Sequence, residues 1–386
     1  MDKKIVIGIP SYNEEDTIGY VTEQVDSGLK KFFSSAKCLI VNVDSDSTDN
    51  TKKVFLEAQT FCPKKYLNTG KKPRGKGKNL IELFKYCNAL DIDYIALFDS
   101  DIRTIKPNWV FSLLNPLITK KFDYTTPAYS RGCYDGNVTN NFAYPLTYAI
   151  FGTELQQPIG GEFGLNKRLY KYLLQQSINE AVWGFGIDIF MTYHAIGGGF
   201  KICEVYLGRK KHRPGFPTLM NKFLQFSQAA LEVSRIYKSE LDKIKPIKKY
   251  KNIQIFKTKK RPDEKLVAVQ LKKFAQDFKN NLSEYNRYLG RGLIDKLSRV
   301  IIIDQKPAIS SALWVDALAR FLNICYEKNF NVKLIPKICR LIAPIFYWRA
   351  ISFWGEMKYL NPIEIDEKIR NQAKLLRKKL KYKKSF

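Results

Sequence analysis

The chain has 386 residues, of which 45% are hydrophobic and 13% aromatic; this excludes a disordered tail and allows one large or two ordinary domains. Lys and Arg total 65 against 37 Asp and Glu, a net charge of +28, so the expected partners are anionic: nucleotides, phosphorylated substrates, nucleic acid or an acidic membrane surface. Seven scattered cysteines, none in a CxxC pair, argue against a disulfide frame or a zinc site and for reduced thiols in a cytosol.

The opening MDKKIVIGIP has no apolar stretch of signal-peptide length, and a soluble, cytoplasmic protein is expected. Ile5–Ile9 is a β-branched run ending at Pro10, Leu39–Val43 a second ending at Asp44, and Tyr94–Phe98 a third ending at Asp99. Helical stretches lie near residues 15–33, 48–59 and 77–89. Strand alternating with helix predicts an α/β fold, a mainly parallel sheet with helices on both faces. Such sheets bind ligands beyond the carboxyl ends of their strands, where all three runs carry polar residues. Past about residue 215 the strand signals fade, and helical patterns occupy roughly 217–243, 263–286, 309–328 and 363–382. A catalytic domain over 1–215 and a C-terminal helical region over 216–386 are therefore expected. The most membrane-like stretch, Leu341–Trp354, is too short to span a bilayer, and Pro344 and Arg349 are expected to break it.

The sharpest local signal is Asp99-Ser100-Asp101, straight after an apolar strand. Two carboxylates two positions apart at a strand end suit one hard divalent cation, Mg²⁺ or Mn²⁺, which also takes substrate phosphates. The turn Asp44-Ser45-Asp46-Ser47-Thr48-Asp49 reads either as a cap for the next helix or as a ligand for a base or ribose. In Arg74-Gly75-Lys76-Gly77-Lys78 the glycines permit close backbone approach and the cations suit phosphate, without Walker A spacing; an ordinary basic loop fits as well. Of the two histidines, His194 lies in an apolar helical run and reads as packed. His212, among the cations 209–213, becomes a metal or pyrophosphate ligand only if the fold brings it beside the Asp99–Asp101 motif.

Together Ile9-Pro10-Ser11-Tyr12-Asn13-Glu14-Glu15, the Asp44–Asp49 turn and the motif at 99–101 resemble family 2-like GT-A glycosyltransferases. The stretches Phe98–Ile102, Pro107-Asn108-Trp109, Gln157–Glu162, Gly186-Ile187-Asp188, Cys203–Tyr206 and Lys211-His212-Arg213 are similar to the mannosylglycerate synthase family. The glucosylglycerate and glucosyl-3-phosphoglycerate synthases share parts of this pattern, and the resemblance runs over about residues 4–215.

The resemblance implies the following roles. Pro10, Tyr12, Glu14 and Asp44 line the nucleotide pocket, Lys76 contacts the donor, and Asp99 with Ser100 faces the ribose or sugar. Asp101 and His212 hold the metal, and Asp188 touches the hexose near the reacting face, so Asp188 and Asp101 are the expected catalytic groups. Arg131, Asp135 and Thr139, with Gly161, bind the acceptor; an Arg fork suits a carboxylate such as that of glycerate. The implied reaction is retaining transfer of mannose or glucose from GDP-mannose, GDP-glucose or UDP-glucose to D-glycerate or a similar small anion, making a compatible solute. The first fifty residues look more like general family 2 enzymes, which leaves the base and sugar open. A homo-oligomer also stays open.

Two other readings compete. One is a family 2 enzyme with a lipid-linked or polysaccharide acceptor, weakly held at a membrane surface by a basic C-terminal helix whose apolar face is Ile365, Ile369, Leu376 and Leu380. The same face suits packing on the protein. The other is a nucleic-acid-binding protein, favoured by charge alone and opposed by the absence of any reading module; no nucleic-acid partner is expected.

Overall fold

A computed structural model describes residues 3–132, 134–211, 218–237, 255–256 and 263–380. These divide into two compact units: one holds 3–130 and 157–211, the other 131–156 and the described residues from 218 onward. Residues 131–156, inside the span 1–215 expected for the catalytic domain, group with the second unit.

In the first unit the strand runs and helical stretches alternate as the sequence pattern predicts. They are β1 (Lys4–Ser11), α1 (Ile18–Phe32), β2 (Lys37–Asp44), α2 (Thr51–Glu57), β3 (Lys64–Asn68), α3 (Lys76–Ala89), β4 (Tyr94–Leu97), α4 (Pro107–Thr119) and β5 (Tyr124–Gly132). After α5 (Tyr144–Phe151), which belongs to the second unit, come β6 (Phe163–Asn166), α6 (Lys167–Leu174), α7 (Glu180–Trp183), α8 (Gly186–Gly197) and β7 (Ile202–Arg209). The strand order is β3-β2-β1-β4-β6-β5-β7, with only β6 antiparallel to its neighbours. Ile5, Ile7 and Ile9 join one core cluster with Val21, Val25 and Leu29 of α1 and Trp109, Val110 and Leu113 of α4. Gly8 serves the opposite face: a Cβ there would stand 2.2 Å from Leu83 Cδ2, so its absence lets α3 close on the sheet.

Register then fixes where the chemistry falls. Ser11 pairs with Asp44, Gly8 with Leu97, and the Phe98 amide still donates to Gly8 O at 3.0 Å. The carboxyl ends of β1, β2 and β4, each followed by polar residues, therefore share one edge.

The second unit adds α9 (Leu219–Ile236), β8 (Ile255–Phe256), α10 (Glu264–Asn280), α11 (Leu282–Leu289), α12 (Arg291–Ser298), α13 (Ser311–Cys325), α14 (Ile335–Met357) and α15 (Pro362–Lys379). The stretch expected to break at Pro344 and Arg349 is instead the 23-residue helix α14. Pro344 removes one backbone donor, but aliphatic and aromatic side chains are buried on every side of the helix, and Phe346 stacks on Phe223 at 3.9 Å. No described helix is long and apolar enough to cross a membrane. Of the apolar side chains of α15, Ile365, Ile369 and Leu376 are buried, as is the adjoining Leu380, while Ile363 is exposed; the helix packs on α5 and α13.

Candidate active site

The residues following β1 are locked to those following β2. The Asn13 amide donates to Ser47 Oγ at 2.8 Å, the Glu14 amide to Thr51 Oγ1 at 2.7 Å, and the Thr48 amide to Asn13 Oδ1 at 2.9 Å. Asn13 and Asp46 hold positive φ, 53° and 61°, a conformation in which Asn and Asp are the most tolerant non-glycine residues. Asp44 anchors this assembly. Its fully buried carboxylate accepts from Tyr66 Oη at 2.7 Å and from the Ser47 hydroxyl at 2.6 Å. Pro10 is buried, Glu14 half-buried and Tyr12 exposed, with the Arg74 guanidinium 4.3 Å from the Tyr12 ring centroid.

The glycine-rich basic stretch resolves into two functions. Gly75 and Gly77 serve packing: a Cβ at Gly77 would stand 1.7 Å from Val182 O, and its amide donates to Gly184 O at 3.0 Å. Lys76, opening α3, carries the charge. Its Nζ lies 2.6 Å from Asp99 Oδ1 and 3.0 Å from Asp188 Oδ1. Burial alone would lower the Lys76 ammonium, but Asp188 and Asp99 outweigh it and hold the pKa above the usual lysine range. Burial would likewise raise Asp99, yet Lys76 and Lys210 keep its carboxyl well below the usual range. Asp188, in the first turn of α8, is pushed up by burial against the pull of Lys76.

The fold therefore unites Lys76, Asp99 and Asp188, which the sequence reading treats as separate, and adds two residues to which it gives no role. Lys210, just past β7, donates to both Glu162 oxygens at 2.9 Å and to Gly160 O at 2.8 Å, and lies 3.3 Å from Asp99 Oδ2. Glu162 is fully buried, and burial pushes it up to about 8 despite Lys210. The available signals were weak: a lone carboxylate inside the apolar run 159–165, and one lysine within a basic stretch that reads as solvated.

Ser100 is buried and Asp101 half-buried on the turn after β4. His212 and Arg213 lie outside the described residues. Among the described residues no group of three or more His, Cys, Asp or Glu side chains is placed to hold a metal ion. Both Asp99 oxygens face ammonium groups. One protein carboxylate fits Mg²⁺ or Mn²⁺ when phosphate oxygens and water complete the shell. Gly161 sits against Asp99 with φ 98°, where a Cβ would stand 2.2 Å from Asp99 Oδ2. The other three acceptor candidates belong to the second unit. There half-buried Arg131 is the penultimate residue of β5, exposed Asp135 lies in the following turn, and buried Thr139 opens a π-helical turn. A Cβ on Gly136 would stand 3.6 Å from Arg131 Cδ, so the Arg131 stem lies close to this turn.

Residues 6–175 match the family described as glycosyl transferase family 2. A glucosyl-3-phosphoglycerate synthase of Petrotoga mobilis is 32% identical over 207 residues, covering 49% of this chain and 59% of that protein. The Mycolicibacterium smegmatis enzyme of the same name is 30% identical over 227 residues, covering 55% of this chain and 71% of its own. The match thus spans less than two thirds of the first relative and somewhat more of the second. Among solved structures, the glucosyl-3-phosphoglycerate synthase of Mycobacterium tuberculosis in complex with Mg²⁺ and UDP superposes with a TM-score of 0.51 at 24% identity, covering 60% of this chain and 79% of that one. A complex of the same enzyme with Mn²⁺, UDP and phosphoglyceric acid gives 0.51 and 24%, over 60% and 78%. These structural matches establish a shared fold. Residues 6–175 carry the family 2 match, and the chain belongs to the GT-A glycosyltransferases, in the group that includes the glucosyl-3-phosphoglycerate synthases.

Proposed function

We propose that this chain transfers glucose from UDP-glucose to 3-phosphoglycerate or a closely similar small anion, with Mg²⁺ or Mn²⁺ bound. The observation that carries this reading is the cluster of Lys76, Asp99, Asp188, Lys210 and Glu162 at the carboxyl edge of the sheet, where α/β folds take ligands. Glucose and UDP are favoured over mannose and GDP because the relatives are named as glucosyl-3-phosphoglycerate synthases and the solved one is described with UDP and phosphoglyceric acid.

Asp101 holds the metal in this reading, with His212 as a further ligand taken from the resemblance. The ion supplies positive charge to the leaving diphosphate. Lys76 adds a second positive charge and orients Asp99 and Asp188. Asp188 positions the hexose. Both its oxygens lie close to Lys76 Nζ, at 3.0 Å and 3.2 Å, which suits a held contact better than a free nucleophile. The acceptor hydroxyl then attacks on the face the diphosphate leaves, with retention: its oxygen bonds to the anomeric carbon as the bond from that carbon to the diphosphate breaks, and the departing phosphate oxygen takes the hydroxyl proton. Pro10, Tyr12, Glu14 and Asp44 border the nucleotide, and Arg131, Asp135, Thr139 and Gly161 serve the acceptor, with the Arg131 fork on its carboxylate or phosphate.

Calorimetric titration of the full chain with UDP-glucose, GDP-glucose and GDP-mannose, each with and without Mn²⁺, tests the donor. UDP-glucose should bind tightest, and more tightly with metal. A preference for GDP-mannose would move the reading to mannosyl transfer, and binding of none of the three would end it.

A further inference from the structure

Among the described residues at least four acceptors lie around the Lys210 ammonium, more than its three protons can serve singly. The Tyr129 ring centroid lies 5.3 Å from it, and the Lys210 side chain is 5% exposed. Two of the acceptors are the oxygens of Glu162, one is the backbone of the adjoining turn, and one is Asp99. The ammonium is thus the point where residues 160–162 and the motif after β4 meet. The contact is tight on the backbone side as well: a Cβ at Gly161 would stand 2.2 Å from Asp99 Oδ2 and 2.9 Å from Lys210 Nζ. Lys76 takes Asp99 Oδ1 from the other side, so the carboxylate plane of Asp99 is fixed between two cations.

Glu162 is an expensive way to fill this space. A fully buried carboxylate beside Asp99 is disfavoured by desolvation and by like charge, and an apolar side chain of similar volume is often no less stable. What an apolar residue lacks is the ability to anchor Lys210. Freed from Glu162, the ammonium retains Asp99 and is able to swing toward an incoming diphosphate.

We propose that Glu162 is a positioning residue for sugar transfer: by clamping Lys210 it fixes one oxygen of Asp99 and pins the Gly160–Gly161 turn beside the donor. Glu162 acts through Lys210 and touches neither substrate. The inference rests on the sugar-transfer reading above. It has a signature that a purely structural residue lacks, because loosening Lys210 slows turnover without weakening the donor.

The test uses the full chain as wild type, Glu162→Gln and Glu162→Asp. In Glu162→Gln, kcat should fall about 10- to 100-fold, as expected when a supporting shell loosens. The Kd for UDP-glucose, measured by calorimetry without metal, should stay within about threefold of wild type or tighten. Glu162→Asp, which keeps the charge on a shorter arm, should recover part of kcat. A Glu162→Gln enzyme with wild-type kcat would overturn the proposal. So would parallel losses of kcat, donor affinity and melting temperature, which would mark Glu162 as structural. If Glu162→Gln does not fold, a Glu162→Asp enzyme with wild-type kcat and Kd overturns it equally. Wild-type transfer from UDP-glucose in the same assay separates the two claims: with it, a null result in the variants sinks only the positioning role; without it, both fall.

Discussion

Arg349 in the second unit and Lys210 in the first are both buried cations, but they are satisfied differently. The guanidinium of Arg349 has five N–H groups and makes five bonds: to Gln372 Oε1, Ile309 O, Ser311 Oγ and both oxygens of Glu356. Its anionic partner is a single carboxylate. That is a closed network of the kind that holds helices α13, α14 and α15 in place. In the first unit three carboxylates, Asp99, Asp188 and Glu162, share two ammonium groups, and burial opposes ionisation of all three. A charge-balanced network is what stability asks for; one with more carboxylates than ammonium groups suits the arrival of a charged ligand.

The contrast can be broken at either end. Arg349→Ala should have the largest effect, a loss of about 3–5 kcal/mol in urea unfolding, because it strips a buried network and leaves Glu356 without its main partner. A loss below about 1 kcal/mol would show that the network is not a stability element. Asp188→Asn should do the reverse. Removing one of three crowded carboxylates should leave the melting temperature nearly unchanged or raised while kcat falls about 100-fold. A large drop in melting temperature would mean that the first cluster is structural too. Arg131→Ala should raise the acceptor KM about tenfold or more with little change in donor KM, and equal changes would remove Arg131 from the acceptor site.

The last prediction concerns a buried group outside both clusters. His194, fully buried beside Phe190, has its pKa lowered by desolvation to about 3, from a usual value near 6.5. A base with a depressed folded pKa contributes stability that is complete above about 6.5 and is lost as pH falls toward 3. The stability of wild type relative to His194→Phe should therefore decline from pH 7 to pH 4, with a slope of up to about 1.4 kcal/mol per pH unit. A difference independent of pH would contradict burial of the neutral imidazole.

How much of this was legible depends on how each segment meets solvent. Strands β1, β2 and β4 were readable because buried parallel strands are continuous β-branched runs that stop at an acid or proline. The edge strand β3, Lys64–Asn68, was not, because two lysines and an asparagine leave it without an apolar run. Helix α14 escaped a periodicity reading for the opposite reason: it is buried on every side, so it has no polar face to set a period, and Pro344 reads as a stop. At the site, Lys76, Asp99 and Asp188 were named from motifs. Their meeting depends on α3, β4 and α8 converging, which no local pattern encodes. Lys210 and Glu162 were hidden for the same reason, since a buried ion pair formed by residues 48 positions apart has no local signal.

The most direct test of the central claim is mass spectrometry of a reaction containing the full chain, UDP-[¹³C]glucose, 3-phosphoglycerate and Mn²⁺. The account predicts a labelled hexosyl adduct of the acceptor with wild type, and its loss both with a chelator and in Asp101→Ala. No adduct with wild type, or an undiminished adduct in Asp101→Ala, would contradict it.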